Sequence, residues 1–145
     1  MIIYIINGPN LNLLGVREPD IYGKEDYKSL TDKIKSHCDA LGLDSVIYQS
    51  NHEGDLVDKI HEAYRVGAIG IVINPAAYTH TSVALLDAVK ATSIKCVEVH
   101  ISDVSKREAF RQISYIREAC IATISGHGTD GYLEAIDLIC AENKR

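Results

Sequence analysis

Five short apolar runs, separated by stretches of helical periodicity, constrain this chain more than any other feature. Residues 2–6 (IIYII), 43–49 (LDSVIYQ), 68–73 (AIGIVI), 95–101 (KCVEVHI) and 119–124 (ACIATI) have the length and β-branched content of strands. Between them, residues 25–41 place Tyr27, Leu30, Ile34, Cys38 and Leu41 at steps of three and four, and Gly42 marks the stop. Residues 54–66 put Leu56, Ile60, Ala63 and Tyr64 on one face. Residues 81–92 read as an apolar helix and residues 130–143 as the last one.

Such repeats predict a parallel sheet covered on both faces, because each parallel crossover needs a helix and buries the strand it leaves. Five units in 145 residues fit an α/β, flavodoxin-like doubly wound fold: a five-stranded parallel sheet in the order 2-1-3-4-5. No linker, repeat or low-complexity segment interrupts residues 1–145, which read as a single domain.

In this architecture ligands sit beyond the carboxyl ends of the strands. The polar and titratable residues gather at that edge. Strand one is followed by "NGPNLNLLGVREPDIYG", residues 7–23, with three Asn, two Pro and three Gly and no regular period. Loops that long inside a compact domain are often functional. Gln49, Ser50, Asn51 and His52 follow strand two, and "NPAAYTHTS" with Asn74 and His80 follows strand three. Strand four ends with Glu98, His100, Ser102 and Asp103, and strand five with Ser125, Gly126, His127 and Gly128.

Several of these residues form chemically meaningful pairs. Strand alternation puts Glu98 and His100 on one face. A carboxylate beside an imidazole fixes its tautomer and favours its protonated form, which makes a general acid with an orienting partner. A structural ion pair, or a metal site completed by His80, reads the same residues differently, although no metal-ligand spacing supports the latter. In "SDVSKREAFR", Ser105 with Glu108 predicts a capping box and a helix that sets Arg107 and Arg111 on one face. With the amides around Ile101 and Ser102 they suit a small carboxylate, or they form a solvated surface pair. In the opening loop, Arg17 lies five residues before Tyr22. A guanidinium close to a phenol in a dry site stabilises the phenolate and yields a strong base; otherwise Tyr22 packs on the surface. "GHGTDG", residues 126–131, mimics a dinucleotide fingerprint. Only fourteen residues follow it, too few for the strand that motif requires, so it predicts a tight turn.

Net charge is −5 with no basic run, which argues against nucleic acid or an anionic membrane as partner. No stretch reaches the length of a membrane span, and no signal segment opens the chain. Cys38, Cys96, Cys120 and Cys140 lack C-x-x-C spacing and read as reduced thiols of a cytoplasmic protein.

"NGPNLNLLGVREPDIYG", "QSNHEG", "NPAAYTHTS", "EVHISDVSKREAFR" and "GYLEAI" together, and in this order, resemble type II 3-dehydroquinate dehydratase over nearly the whole chain. The resemblance implies the elimination of water from 3-dehydroquinate to give 3-dehydroshikimate, a shikimate-pathway step, through an enolate and without a Schiff base or cofactor. It implies Tyr22 as the base at C2 and Arg17 as the residue holding it anionic. Asn10 would stabilise the enolate, and His100, oriented by Glu98, would protonate the departing hydroxyl. Asn74, His80, the Ile101–Ser102 backbone and Arg111 would bind substrate, and Asp87 would reach the site across a subunit boundary in a homo-oligomer, a dodecamer of trimers. The loop around residues 17–24 would close as a lid. Leu86 stands where that family frequently carries arginine, "RQIS" replaces a His-rich version, and His127 replaces a hydrophobe.

Two rivals on the same fold are weaker. A receiver-like signalling module needs acidic residues after strand one, where "NGPN" stands. A flavin-binding carrier needs a hydroxyl-rich phosphate loop there and flanking aromatics, and tryptophan is absent.

Overall fold

Strands β1 (Ile2–Asn7), β2 (Asp44–Gln49), β3 (Ile71–Asn74), β4 (Cys96–His100) and β5 (Ala122–Ser125) alternate with helices α1 (Tyr27–Ala40), α2 (Glu53–Arg65), α3 (Val83–Thr92) and α4 (Asp130–Asn143). This computed structural model describes residues 1–16 and 25–144. The strands form one parallel sheet in the order β2-β1-β3-β4-β5, the flavodoxin-like order expected from the sequence. No helix among the described residues is long and apolar enough to cross a membrane.

The strands are apolar on both faces because each face has its own layer of helices. Ile3, Ile5, Val72, Val97 and Val99 pack with Leu30, Ile34 and Cys38 of α1 and with Tyr132, Ala135, Ile136 and Ile139 of α4. Their neighbours Tyr4, Ile6, Ile71, Ile73 and Cys96 point the other way, onto Leu56, Ile60 and Ala63 of α2 and Leu85, Ala88 and Val89 of α3. Each fully buried Ile or Leu contributes about 1.5–3 kcal/mol, so these two layers dominate the stability of the fold. Asp26 and Ser82 cap α1 and α3 by accepting from the amides of Ser29 and Leu85.

Register aligns the strand ends that matter. Asn7 lies level with Gln49 on one side and Asn74 on the other, and His100 lies level with Ser125. The polar tips of all five strands thus face one edge of the sheet.

Some sequence expectations need correction. Leu41 and Tyr64, assigned to buried helix faces, are exposed: Leu41 is already the C-cap of α1, and Tyr64 lies at the margin of the stripe formed by Leu56, Ile60 and Ala63. The expected helix at Ser105 does not form. Asp103 accepts from both the amide and the hydroxyl of Ser105, and short 3-10 turns follow at Val104–Lys106 and Ala109–Gln112. None of the residues in those turns is buried, so a helix there would have no apolar face to hold it. β5 begins at Ala122 rather than 119, because Ile116–Ala119 is spent on another 3-10 turn. β3 begins at Ile71 rather than 68 and extends to Asn74. Gly126 and Gly128 have positive φ, so "GHGTDG" is a tight turn, and its backbone bonds to the carbonyls of His100 and Ile101.

Candidate active site

At the carboxyl edge a cleft of about 690 Å³, counted to its open mouth, is lined by Pro9, Asn10, Leu11 and Leu14 from the first loop. Asn74, Ala76 and His80 line it from the loop after β3, and His100, Ile101, Ser102 and Val104 from the end of β4. Arg107 and Arg111 close one side. The cleft thus brings together eight residues singled out from the sequence: Asn10, Asn74, His80, His100, Ile101, Ser102, Arg107 and Arg111. Arg17 and Tyr22 lie outside the described residues. Asp87 is exposed on α3 and does not line the cleft of its own chain.

The walls are held in place by the backbone and by amide side chains. Gly8 donates its amide to the carbonyl of Asn74 at 2.8 Å, so the first and third loops touch. A Cβ on Gly8 would stand 2.3 Å from the carbonyl oxygen of Pro75, a distance that only glycine permits. Asn10 adopts a left-handed conformation, φ 70°, tolerated by Asn better than by most residues. Its amide donates to Oδ1 of Asn51 at 3.0 Å. Gln49 donates to the same Oδ1 and to the carbonyl of Gly8, each at 3.1 Å. The "QSN" segment after β2 is therefore the brace of the first loop.

Below the cleft floor runs a buried chain of hydrogen bonds. Tyr132 Oη donates to Oδ1 of Asn7 at 2.7 Å and accepts from Nδ2 of Asn74 at 3.0 Å. Oδ1 of Asn74 accepts from the amide of Ala76 at 3.1 Å. Burial pushes the Tyr132 phenol far above its ordinary value, so this hydroxyl stays neutral and acts as structure. The cost of burying these amides is met by this mutual pairing.

His100 and Glu98 form the electrostatic centre. Both are buried, Glu98 completely. Nε2 of His100 hydrogen-bonds Oε2 of Glu98. Because a carboxylate only accepts, Nε2 carries the proton of that bond. Four further bonds hold Glu98. Arg117 donates from Nε to Oε1 at 3.1 Å and from Nη2 to Oε2 at 3.0 Å. Ser114 and Thr123 donate at 3.0 and 3.2 Å. Burial alone would push the Glu98 carboxyl up; the bonds and charges of His100 and Arg117 outweigh it and pull it down to about 2. Glu98 is thus an anion at any ordinary pH, although it sees no solvent.

His80 presents one ring edge to the cleft while Nδ1 donates to the carbonyl of Ile113 at 2.7 Å. Arg111 pairs through Nε with Glu108, whose carboxyl that bond holds below its usual range. The carbonyls of Ile101 and Ser102 are engaged by Gly128 N at 3.1 Å and Ser125 Oγ at 3.2 Å. Among the described residues, no group of three His, Cys, Asp or Glu side chains converges as a metal site, so the grouping of His80, Glu98 and His100 does not occur.

Sequence reasoning assigned no role to Asn7, Tyr132, Ser114, Arg117 or Thr123. A buried carboxylate at Glu98 implies donors, but their positions 16 to 25 residues downstream carry no spacing signal. Tyr132 sits in "GYLEAI", 125 residues from its partner Asn7.

The family described as Dehydroquinase class II matches residues 1–140. A relative from Rhodopseudomonas palustris (strain BisA53), named 3-dehydroquinate dehydratase, is 51% identical over 140 residues, covering 97% of this chain and 93% of its own length. The crystal structure of type II dehydroquinase from Butyrivibrio crossotus DSM 2876 superimposes with a TM-score of 0.95 at 52% identity, covering 97% of each chain. That from Propionibacterium acnes gives 0.92 at 37% identity, covering 97% of this chain and 96% of its own. With the same sheet, and a match that runs from the first strand into the last helix, the chain belongs to the class II dehydroquinase family.

Proposed function

We propose that the chain is a 3-dehydroquinate dehydratase, a hydro-lyase of the shikimate pathway, and that the cleft carries out the elimination by acid–base chemistry. The C2 proton of 3-dehydroquinate is α to a ketone, so its removal leaves an enolate. The C1 hydroxyl departs poorly until it is protonated. The reaction needs a base, an enolate stabiliser and an acid.

The observation that carries this reading is the buried Glu98–His100 pair at the base of the cleft. The Glu98 carboxylate behind Nε2 fixes the orientation of the ring, and in our assignment His100 is the proton donor. In our assignment Tyr22, kept anionic by Arg17, takes the C2 proton. The electron pair moves into the ketone oxygen, with Asn10 stabilising the enolate. Collapse of the enolate expels the C1 oxygen, which leaves as water with the proton from His100. Asn74, His80, Arg111 and the backbone at Ile101 and Ser102 hold the hydroxyls and carboxylate. The lid expected of residues 17–24 lies outside the described residues.

An imine route would need a lysine in the cleft, and among the described residues none lines it; Lys106, after β4, is exposed and pairs with Asp103 at 3.9 Å. Lys95 precedes β4 at the opposite end of the sheet and donates to the carbonyl of Glu142 at 3.1 Å. The chemistry assigned to these side chains requires no cofactor. Residues 1–145 act as one catalytic domain, in the cytoplasm, where four free thiols suit a reducing medium. The subunits assemble as a dodecamer of trimers in which Asp87, exposed on its own subunit, reaches a neighbouring cleft.

Incubation with 3-dehydroquinate, followed by the absorbance of the conjugated enone, tests the activity. The absorbance rises with or without a chelator. A flat trace rejects the activity, and a trace that only metal restores rejects the acid–base assignment. Light scattering that gives a mass other than twelve chains rejects the assembly.

A further inference from the structure

Arg117 holds the Glu98 carboxylate together with His100. Its side chain is 45% exposed, yet its guanidinium forks onto both oxygens of a carboxylate that is itself 0% exposed. Arginine presents fixed, parallel donors that match a carboxylate in this way; lysine cannot. Oε2 of Glu98 is shared between His100, Ser114 and Arg117, and Oε1 between Arg117 and Thr123. Among the described residues, Cys96, on the same face of β4, also lies near Glu98, with Cys120, whose thiol pairs with that of Cys96, while His80, Arg107 and Arg111 line the same cleft as His100. The contact with Cys120 and burial hold the Cys96 thiol well above its ordinary range, so it is neutral when reduced. Lys90 of α3 is engaged by Glu118 at 3.3 Å. The imidazole of His100 and the guanidinium of Arg117 therefore share one buried carboxylate.

We propose that Arg117 is a positioning residue for the dehydration, fixing the Glu98 carboxylate and, by taking part of its charge, setting how readily His100 releases its proton to the leaving group. The inference rests on His100 being the acid. An imidazolium facing an unshared buried carboxylate is held too firmly to be a good donor at neutral pH. A carboxylate without the fork is also free to turn, and the imidazole turns with it. The 3-10 turn at Ile116–Ala119 has the task of bringing Arg117 to this point.

The test compares Arg117→Met, Arg117→Gln and Arg117→Lys. In Met and Gln the guanidinium charge is gone, so kcat falls by at least about tenfold, toward the 10²–10⁴-fold that general acid catalysis contributes, while KM changes little. The alkaline limb of the kcat profile moves to higher pH by at least about half a unit, because Glu98 then serves His100 alone. The His100 resonance in the free protein titrates with the same displacement. Lys keeps the charge, so its limb stays in place and part of kcat returns. A fall in kcat with the limb and the resonance unmoved makes Arg117 merely structural and overturns the proposal; so does wild-type behaviour in every readout. If Met fails to fold, the contrast between Gln and Lys decides by the same criteria. His100→Ala separates the two levels. Wild-type turnover in that variant removes the acid assignment and this proposal with it. Lost turnover there, with Arg117→Met and Arg117→Gln like wild type, removes the proposal alone.

Discussion

Tyr132 and Asn7, 125 residues apart, meet through a 2.7 Å hydrogen bond beneath the cleft, joining the last helix to the tip of the first strand. The same hydroxyl receives Nδ2 of Asn74, whose own oxygen pins the amide of Ala76. The floor of the site is therefore tied across the whole length of the chain. Tyr132→Phe keeps the ring but strips two buried amides of a partner, at about 1–3 kcal/mol for each group left unsatisfied. Urea denaturation should show a loss in this range, with a raised KM because the Asn74–Ala76 turn slackens. An unchanged midpoint would mean that this chain of bonds is not what holds the floor.

Gly8→Ala tests the contact between the first and third loops. With 2.3 Å available to the new methyl, one of the two loops must move, and they carry Asn10 and Asn74. Overpacking of this kind costs about 1–3 kcal/mol. We expect a folded protein whose kcat/KM falls by more than about tenfold, since small displacements of positioning groups are amplified in rate. Steady-state kinetics beside circular dichroism read both; wild-type kcat/KM would contradict the placement.

Glu98→Gln removes the anion and supplies amide protons that face Arg117 and His100. The imidazolium loses its counter-charge, so the alkaline limb of kcat moves to lower pH and kcat falls by about 10²-fold or more. Stability follows a separate pH dependence. The folded carboxyl titrates near 2, below its ordinary 4.5, so between those values the unfolded chain binds more protons. The contribution of Glu98 to stability is whole above about pH 4.5 and is lost as the pH falls toward 2, amounting to about 3 kcal/mol. Urea midpoints from pH 6 to 2 should decline more steeply for the wild type than for Glu98→Gln; parallel declines would contradict the buried anion.

Tyr22→Phe should nearly abolish turnover while leaving substrate binding largely intact, which calorimetry with 3-dehydroquinate separates from the rate. Near-normal kcat would refute the assigned base. Arg17→Ala withdraws the charge that keeps the phenol ionised, so activity that depends on the phenolate should appear only at higher pH. A rate profile unmoved on that side would count against the pairing.

The fold was legible because its determinants are local and repeated. Apolar runs such as "IIYII" and "AIGIVI" announce buried strands, and Leu30, Ile34 and Cys38 announce the helix between two of them by their spacing alone. Glu98 and His100 were readable for the same reason: a period of two puts residues i and i+2 on one face. The segment after His100 misled because "SKRE" satisfies a capping rule, while nothing in it has an apolar face to bury, and a helix needs burial more than it needs a cap.

By itself, the chain's order of residues determined the parallel sheet, the edge at which polar side chains collect and the family to which it belongs. Tertiary structure alone decided which donors surround Glu98, that Tyr132 lies under Asn7 and Asn74, and that Gly8 meets Pro75. The physical reason is that hydrophobic periodicity is written within a turn or two of chain. A buried charge or amide is satisfied by whichever groups the packed elements bring within 3 Å, wherever they lie in the sequence.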